Sequence, residues 1–275
     1  MARIVLIDLP DALGAALAAS PALQGREIVN AAGNVDALRR LRTAACDVLV
    51  TCPATSIQED LAFLEEVRSV RSGVRAIVLA GRASPESVVD ALREHVFALF
   101  TAPFDPVEIG EMARHAVDAG PAHDGIEVLS ARADWLAVRL DASQLTAERL
   151  LRFVAELRSE VPGGDREDLV LAYREVLQSA IEQAREAGGA PVDVIAARTA
   201  RAVVFFVRTP GPGFALADLP PADAPADDPA VDELVRREEE GRPSSAFGLL
   251  VARTIVDEML HNERSDEIVL VKHTR

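Results

Sequence analysis

Cysteine is scarce in this chain, with two residues among 275. The pair cannot meet. Cys46 and Cys52 flank a predicted strand, Asp47-Val-Leu-Val-Thr51, whose extended backbone holds its ends about 20 Å apart. A disulfide tolerates roughly 7 Å between Cα atoms, so two separate thiols in a reducing compartment are expected. Histidine is nearly as rare, five residues with no pair at metal-ligand spacing, so no metal site is expected. Positive charge is also in deficit. Lys plus Arg number 29 against 44 Asp plus Glu, a net charge of −15, which repels phosphate backbones and anionic lipid and argues against nucleic acid and membrane as partners. No apolar stretch approaches the roughly 18 residues of a spanning helix. The opening Met1-Ala-Arg-Ile-Val-Leu-Ile-Asp8 is a strand stopped by acid and proline rather than a secretory signal. A cytoplasmic protein is expected.

What the chain does have is apolar substance, 49% of its residues, enough for sizeable cores, and a length that suggests two domains. Up to about residue 119, short apolar runs alternate with helical periods. The runs are Ile4–Ile7, Glu27–Val29, Val48–Val50, Ile77–Leu79 and Phe97–Thr101. Between them lie amphipathic stretches such as Leu61, Leu64, Val67 and Val70. Continuously apolar strands separated by helices predict a parallel α/β sheet covered on both faces. Gly120-Pro-Ala-His-Asp-Gly125 reads as a short linker.

Residues 126–275 follow a different pattern. Ile126–Leu129 and Trp135–Leu140 read as paired strands, and Leu150 to Val161 marks one helix face. Arg166–Arg185 carries a full apolar stripe at period 3.6. Strands at Val192–Ile195 and Ala202–Val207, a helix over Ala246–Leu260 and a closing strand at Glu267–Lys272 complete an α+β two-layer sandwich. A long Pro/Ala/Asp/Glu-rich segment, about 215–242, interrupts it. Such a segment is a lid or a disordered stretch, and its prolines and mutually repelling acids predict mobility unless a partner pins it. There is no internal repeat.

Three stretches of the first half, Ile4-Val-Leu-Ile-Asp8, Asp47-Val-Leu-Val-Thr-Cys52-Pro53 and Phe100-Thr-Ala102-Pro103-Phe104, resemble the response-regulator receiver domain. The resemblance implies a flavodoxin-like doubly wound (βα)5 fold and a cis Ala102–Pro103 bond. In that family two acids hold Mg²⁺, an Asp is phosphorylated, and a hydroxyl and a Lys complete the site. Here Asp8 keeps one acid and Leu9 replaces the other. Cys52 stands in place of the phospho-acceptor, Ala80 in place of the hydroxyl and Ala102 in place of the Lys. Phosphoryl transfer to a carboxylate needs that carboxylate and a cation to offset charge, so a non-phosphorylatable pseudo-receiver is expected. Cys52 has no His, Lys or Arg adjacent in sequence to activate it and reads as a small half-buried residue.

Three further blocks resemble the Bergerat-fold, histidine-kinase-like ATPase module, most closely its anti-sigma-factor serine-kinase branch. They are Asp168-Leu-Val-Leu-Ala-Tyr-Arg-Glu175-Val-Leu-Gln-Ser179-Ala-Ile-Glu-Gln183, Phe206-Val-Arg-Thr209-Pro-Gly211-Pro-Gly213-Phe214, and Gly241-Arg-Pro-Ser-Ser-Ala246-Phe-Gly248. On a helix Glu175, Ser179 and Gln183 form one stripe, which the resemblance places along a nucleotide pocket. It also implies Ser179 where the family has an Mg²⁺-binding Asn, and Thr209 where an Asp accepts from adenine. Gly211 and Gly213 keep the tight turn, while Ala246 and Gly248 mark the helix start that receives phosphates. Lost charge-assisted contacts and an acidic lid oppose Mg-ATP.

The resulting expectation is a signalling protein without catalytic residues or cofactor, acting through protein–protein contacts. Its partner is a sigma factor, an antagonist or another regulator, and the resemblance implies a homodimer through Trp135–Val161. The alternative is an ATP- and Mg²⁺-dependent protein serine kinase in which Glu175 orients the attacking hydroxyl and Ser179 and Gln183 hold the metal. A third reading is a sensor whose pocket takes another small ligand.

Overall fold

A computed structural model describes residues 1–119, 124–157, 163–221, 231, 235–236 and 245–274. The chain divides into two compact units, Met1–Asp124 and Gly125–Arg275. Residues 120–123 of the expected linker, Val161 and most of the segment from 222 to 244 lie outside the described residues.

The first unit alternates β1 (Arg3–Ile7), α1 (Asp11–Ala18), β2 (Glu27–Ala31), α2 (Asn34–Thr43), β3 (Val48–Val50), α3 (Ile57–Val70), β4 (Arg75–Ala80), α4 (Pro85–Arg93), β5 (Ala98–Thr101) and α5 (Pro106–Asp118). All neighbouring strands pair parallel, in the order β2-β1-β3-β4-β5. This is the flavodoxin-like doubly wound order. Ile4, Ile7, Val48, Val50, Ile77 and Leu79 are all fully buried, which an apolar strand achieves only with helices on both faces. Local chemistry starts the helices. Ser56 and Glu59 form a reciprocal cap at α3, and Asp105 caps the Pro106 start of α5 by accepting from the Val107 amide at 2.8 Å. The carboxyl ends of the strands share one edge, where α/β sheets bind ligands.

The second unit is an antiparallel sheet of β6 (Ile126–Arg132), β7 (Trp135–Leu140), β8 (Val192–Arg198), β9 (Ala202–Arg208), β10 (Glu258–His261) and β11 (Glu267–His273), in the order β10-β11-β9-β8-β7-β6. Its helices include α6 (Gln144–Leu157), α7 (Gly163–Glu186) and α8 (Ser245–Ile255). Alternate strand residues such as Val138, Val194, Phe205 and Leu270 are buried. Tyr173 of α7 stacks on Phe205 of β9 with ring centroids 4.1 Å apart, joining the helix layer to the sheet. The arrangement is a two-layer α+β sandwich. Among the described residues no helix is long and apolar enough to cross a membrane.

One expected element is corrected. The helix predicted over Ala246–Leu260 ends at Ile255, and Glu258–His261 forms β10 against β11. The cause lies more than ten residues further on. Lys272 Nζ donates to the Ile255 carbonyl at 2.8 Å, and the Asp257 carboxylate accepts from the His273 amide at 2.6 Å. These contacts satisfy groups at the end of the helix and turn the chain into the sheet.

Candidate functional site

In the first unit, Asp8 follows β1 with φ 43°, its amide bound to the Ala31 carbonyl at 2.8 Å. Cys52 is buried, more deeply than the half-buried position expected for it. Its thiol donates to the Asp8 carbonyl at 3.3 Å and lies 3.9 Å from Asp8 Oδ2, while the Ala54 amide donates to its sulfur at 3.4 Å. Ala80 is buried, and its carbonyl accepts from the Ala102 amide at 3.1 Å. The Ala102–Pro103 bond is cis. The fold therefore brings Asp8, Cys52, Ala80 and Ala102 to one sheet edge, with Leu9 directly after Asp8. Of these five side chains only Asp8 is a carboxylate, and none is a cation. Burial pushes the other thiol, Cys46, up to about 12, which disfavours its thiolate.

Sequence reasoning missed a buried polar cluster beside this edge. Asp60 of α3 is 0% exposed. Its Oδ2 lies 2.7 Å from Thr51 Oγ1 and its Oδ1 2.7 Å from Thr55 Oγ1. Thr51 Oγ1 also accepts from the Leu79 amide at 3.1 Å, and Thr55 Oγ1 is 2.7 Å from the Cys52 carbonyl. Burial pushes the Asp60 carboxyl up to about 6, against the lowering effect of the two threonines. The signal was present: an acid interrupts the apolar stripe Ile57, Leu61, Leu64 and Val67 of α3.

In the second unit, Glu175, Ser179 and Gln183 share one side of α7, and Ser179 is 2% exposed. Among the described residues its Oγ has no hydrogen-bond partner. Thr209, 1% exposed, donates its hydroxyl to the Ala180 carbonyl of α7 at 2.8 Å. Gly211 and Gly213 have φ of +105° and +87°. A Cβ at Gly211 would lie 2.9 Å from Ala187 Cβ, and one at Gly213 would lie 2.6 Å from the Ser265 carbonyl oxygen. Protein atoms thus crowd both glycines. Ala246 is buried in a cluster with Leu219, Val231, Phe247 and Leu250, and Arg253 donates to the Pro220 carbonyl at 2.7 Å. The described part of the 215–242 segment is therefore tied to α8. A Cβ at Gly248 would meet Glu175 Oε2 at 2.5 Å, so the Glu175 carboxylate lies against the first turns of α8. Among the described residues no three His, Cys, Asp or Glu side chains converge as metal ligands.

Residues 138–272 match the histidine kinase-like ATPase domain family. No curated protein matches the chain. Solved structures similar to the first unit include a CheY-like response regulator receiver domain protein from Methanospirillum hungatei JF-1, 22% identical over 43% of this chain and 95% of its own, with a TM-score of 0.38. Chemotaxis protein CheY4 of Vibrio cholerae is 22% identical over 42% of this chain and 98% of its own, with a TM-score of 0.36. A response regulator from Thermotoga maritima is 13% identical over 43% of this chain and 98% of its own, with a TM-score of 0.38.

Proposed function

Starting from a receiver-like unit followed by a histidine kinase-like ATPase domain, we propose that this chain is a signal-transduction regulator that works through protein–protein contacts and not by phosphoryl transfer. The observation that carries this reading is Thr209. It carries a neutral hydroxyl where the resembled family has a carboxylate, and that hydroxyl donates to the Ala180 carbonyl. This ties the end of β9 to α7 and leaves only uncharged lone pairs to accept from an adenine amino group. A neutral hydroxyl also makes a weaker acceptor than a carboxylate.

The remaining residues fit Mg-ATP poorly. The Glu175 carboxylate against Gly248 puts negative charge at the helix start where phosphates would bind. Ala246 is packed among apolar side chains. Both turn glycines are already crowded by protein atoms, so their presence needs no ligand to explain it. In the first unit, Cys52 in place of a carboxylate and Ala102 in place of a cation support a pseudo-receiver. Partners of this regulator are a sigma factor, an antagonist or a related regulator, met in the cytoplasm, and the active form is a homodimer through the region 135–161. Titration calorimetry of the whole chain with Mg-ATP tests the reading. The expected result is no saturable heat at millimolar nucleotide, and a saturable heat with one site per chain overturns it.

One observation favours the kinase alternative. The Ser179 hydroxyl is buried and has no partner among the described residues, and such an atom costs about 1–3 kcal/mol unless something satisfies it. In that reading Ser179 and Gln183 would hold Mg²⁺ and Glu175 would orient a substrate hydroxyl. The metal would supply charge neutralisation on the phosphates. The same calorimetry separates the two, and a nucleotide-independent heat with another small molecule would identify a sensor.

A further inference from the structure

We propose that Asp60 carries a proton that locks the Cys52–Thr55 turn, and that loss of this proton releases the turn. The cluster has more acceptors than hydrogens when Asp60 is ionised. Thr51 Oγ1 accepts from the Leu79 amide and has one proton of its own, which goes to Asp60 Oδ2 at 2.7 Å. Thr55 Oγ1 also has one proton but stands 2.7 Å from two oxygens, the Cys52 carbonyl and Asp60 Oδ1. A carbonyl can only accept, and an ionised carboxylate can only accept. With Asp60 ionised, one of these two short contacts has no hydrogen in it. With Asp60 protonated at Oδ1 the chain is complete: Asp60 donates to Thr55, Thr55 donates to Cys52, and Thr51 donates back to Asp60.

The surroundings agree. Asp60 is 0% exposed, so water does not solvate its charge. Burial holds its carboxyl near 6. From β3 and the turn it meets Thr51, Cys52 and Thr55, and from β4 the Leu79 amide reaches it through Thr51, all neutral. Glu59, the preceding residue on α3, is an anion held by Ser56 and adds repulsion. From α2, Arg39 and Arg42 line a groove with Glu59 and Glu66. From the α4 side, Glu94 engages Arg68. Asp8 touches the turn through Cys52. Among the described residues no cation acts on Asp60 itself. Ionisation would therefore place an unsolvated charge under the turn and leave Thr55 Oγ1 and the Cys52 carbonyl lone pair to lone pair. Opening the turn relieves both.

The device lies at the sheet edge where the receiver-like unit has lost its phospho-acceptor, and it does not depend on whether the second unit binds nucleotide. Amide hydrogen exchange of the full chain tests it, read at the Thr55 amide, which donates to the Cys52 carbonyl at 3.3 Å. After correction for intrinsic exchange, protection should fall about tenfold between roughly pH 5 and pH 7.5, the linkage expected if opening returns the carboxyl to its ordinary value. Asp60→Asn keeps an acceptor for Thr51 and a permanent donor for Thr55, so its protection should be independent of pH. Wild-type protection that changes less than about twofold over that range, or a variant with the wild-type pH dependence, overturns the proposal. Should the variant fail to fold, carboxyl carbon-13 titration of wild-type Asp60 decides: a midpoint near 6 supports the switch, and one near the ordinary 3.8 ends it.

Discussion

At the carboxyl edge of the parallel sheet, two of the positions that would carry chemistry, Asp8 and Ala102, have exposed side chains. Cys52 beside them is buried, its thiol donating to the Asp8 carbonyl. In the antiparallel unit three of the compared positions are crowded by protein atoms. Gly211, Gly213 and Thr209 are each required by neighbouring protein atoms, the Ala187 side chain, the Ser265 carbonyl and the Ala180 carbonyl. An exposed side chain at such an edge can change identity without trace in the architecture. A site whose glycines also serve packing keeps its glycine signature whatever happens to its ligand, so retained glycines in the second unit are poor evidence for a retained nucleotide.

The largest effect is expected from Gly213→Ala, which puts a Cβ 2.6 Å from a backbone oxygen at φ +87°. It should destabilise the second unit by about 3 kcal/mol or more. Trp135, the one tryptophan of the chain, reports that unit's unfolding in denaturant. A change below roughly 1 kcal/mol would mean the turn is pliable and the glycine is kept for another reason.

Next comes Asp60→Asn, measured at pH 7.5 by exchange of the slowest β1 and β4 amides. The carboxyl is raised from 3.8 to about 6 on folding. Its contribution is therefore fully present below the lower value and lost as pH rises through the upper one, up to about 3 kcal/mol. The variant should be more stable than wild type at pH 7.5, with the advantage shrinking as pH falls toward 4. The sign is opposite at Asp257 of the second unit, whose carboxyl is held low by the His273 amide and by Lys272. That contribution is present at neutral pH and fades as acid protonates the group.

Thr209→Val should cost about 1–2 kcal/mol through the lost bond to Ala180, again read by Trp135, and should leave the response to Mg-ATP unchanged. Altered nucleotide binding in this variant would move Thr209 from scaffold to site. The smallest expected effect is none: acetyl phosphate with Mg²⁺ should add no phosphate mass to the first unit. A gain of one phosphate there would show that the edge still works with Asp8 as its one carboxylate among the five compared positions.

Much of the fold was legible because burial is written in periodicity. Ile4–Ile7 and Val48–Val50 are uninterrupted apolar runs, and both are interior strands of the sheet. The α7 stripe repeats at helical spacing and faces the sheet through Tyr173. The end of α8 was not legible, since it is set by Lys272 and His273, which local sequence cannot bring back to Ile255 and Asp257. Site positions were readable by motif, but the work their side chains do was not. Thr209 looked like an adenine acceptor, and its partner is a helix carbonyl. Asp60 drew no notice in the sequence, although it sits on the apolar stripe of α3, and only the approach of Thr51 and Thr55 reveals it.

β11 is the last strand in sequence but not an edge of its sheet, lying between β9 and β10. Synthesis therefore delivers one of the sheet's interior strands after every other element of the unit. Until it arrives, β9 presents an open row of amides and carbonyls next to the buried face that holds Phe205 and Val207. β10 has no neighbour, and the Ile255 carbonyl lacks the Lys272 ammonium that meets it in the finished fold. Nascent chains that stop short of Glu267, the start of β11, are thus expected to bind chaperones and resist compaction, while the first unit, whose own sheet closes at Thr101, is already folded ahead of them.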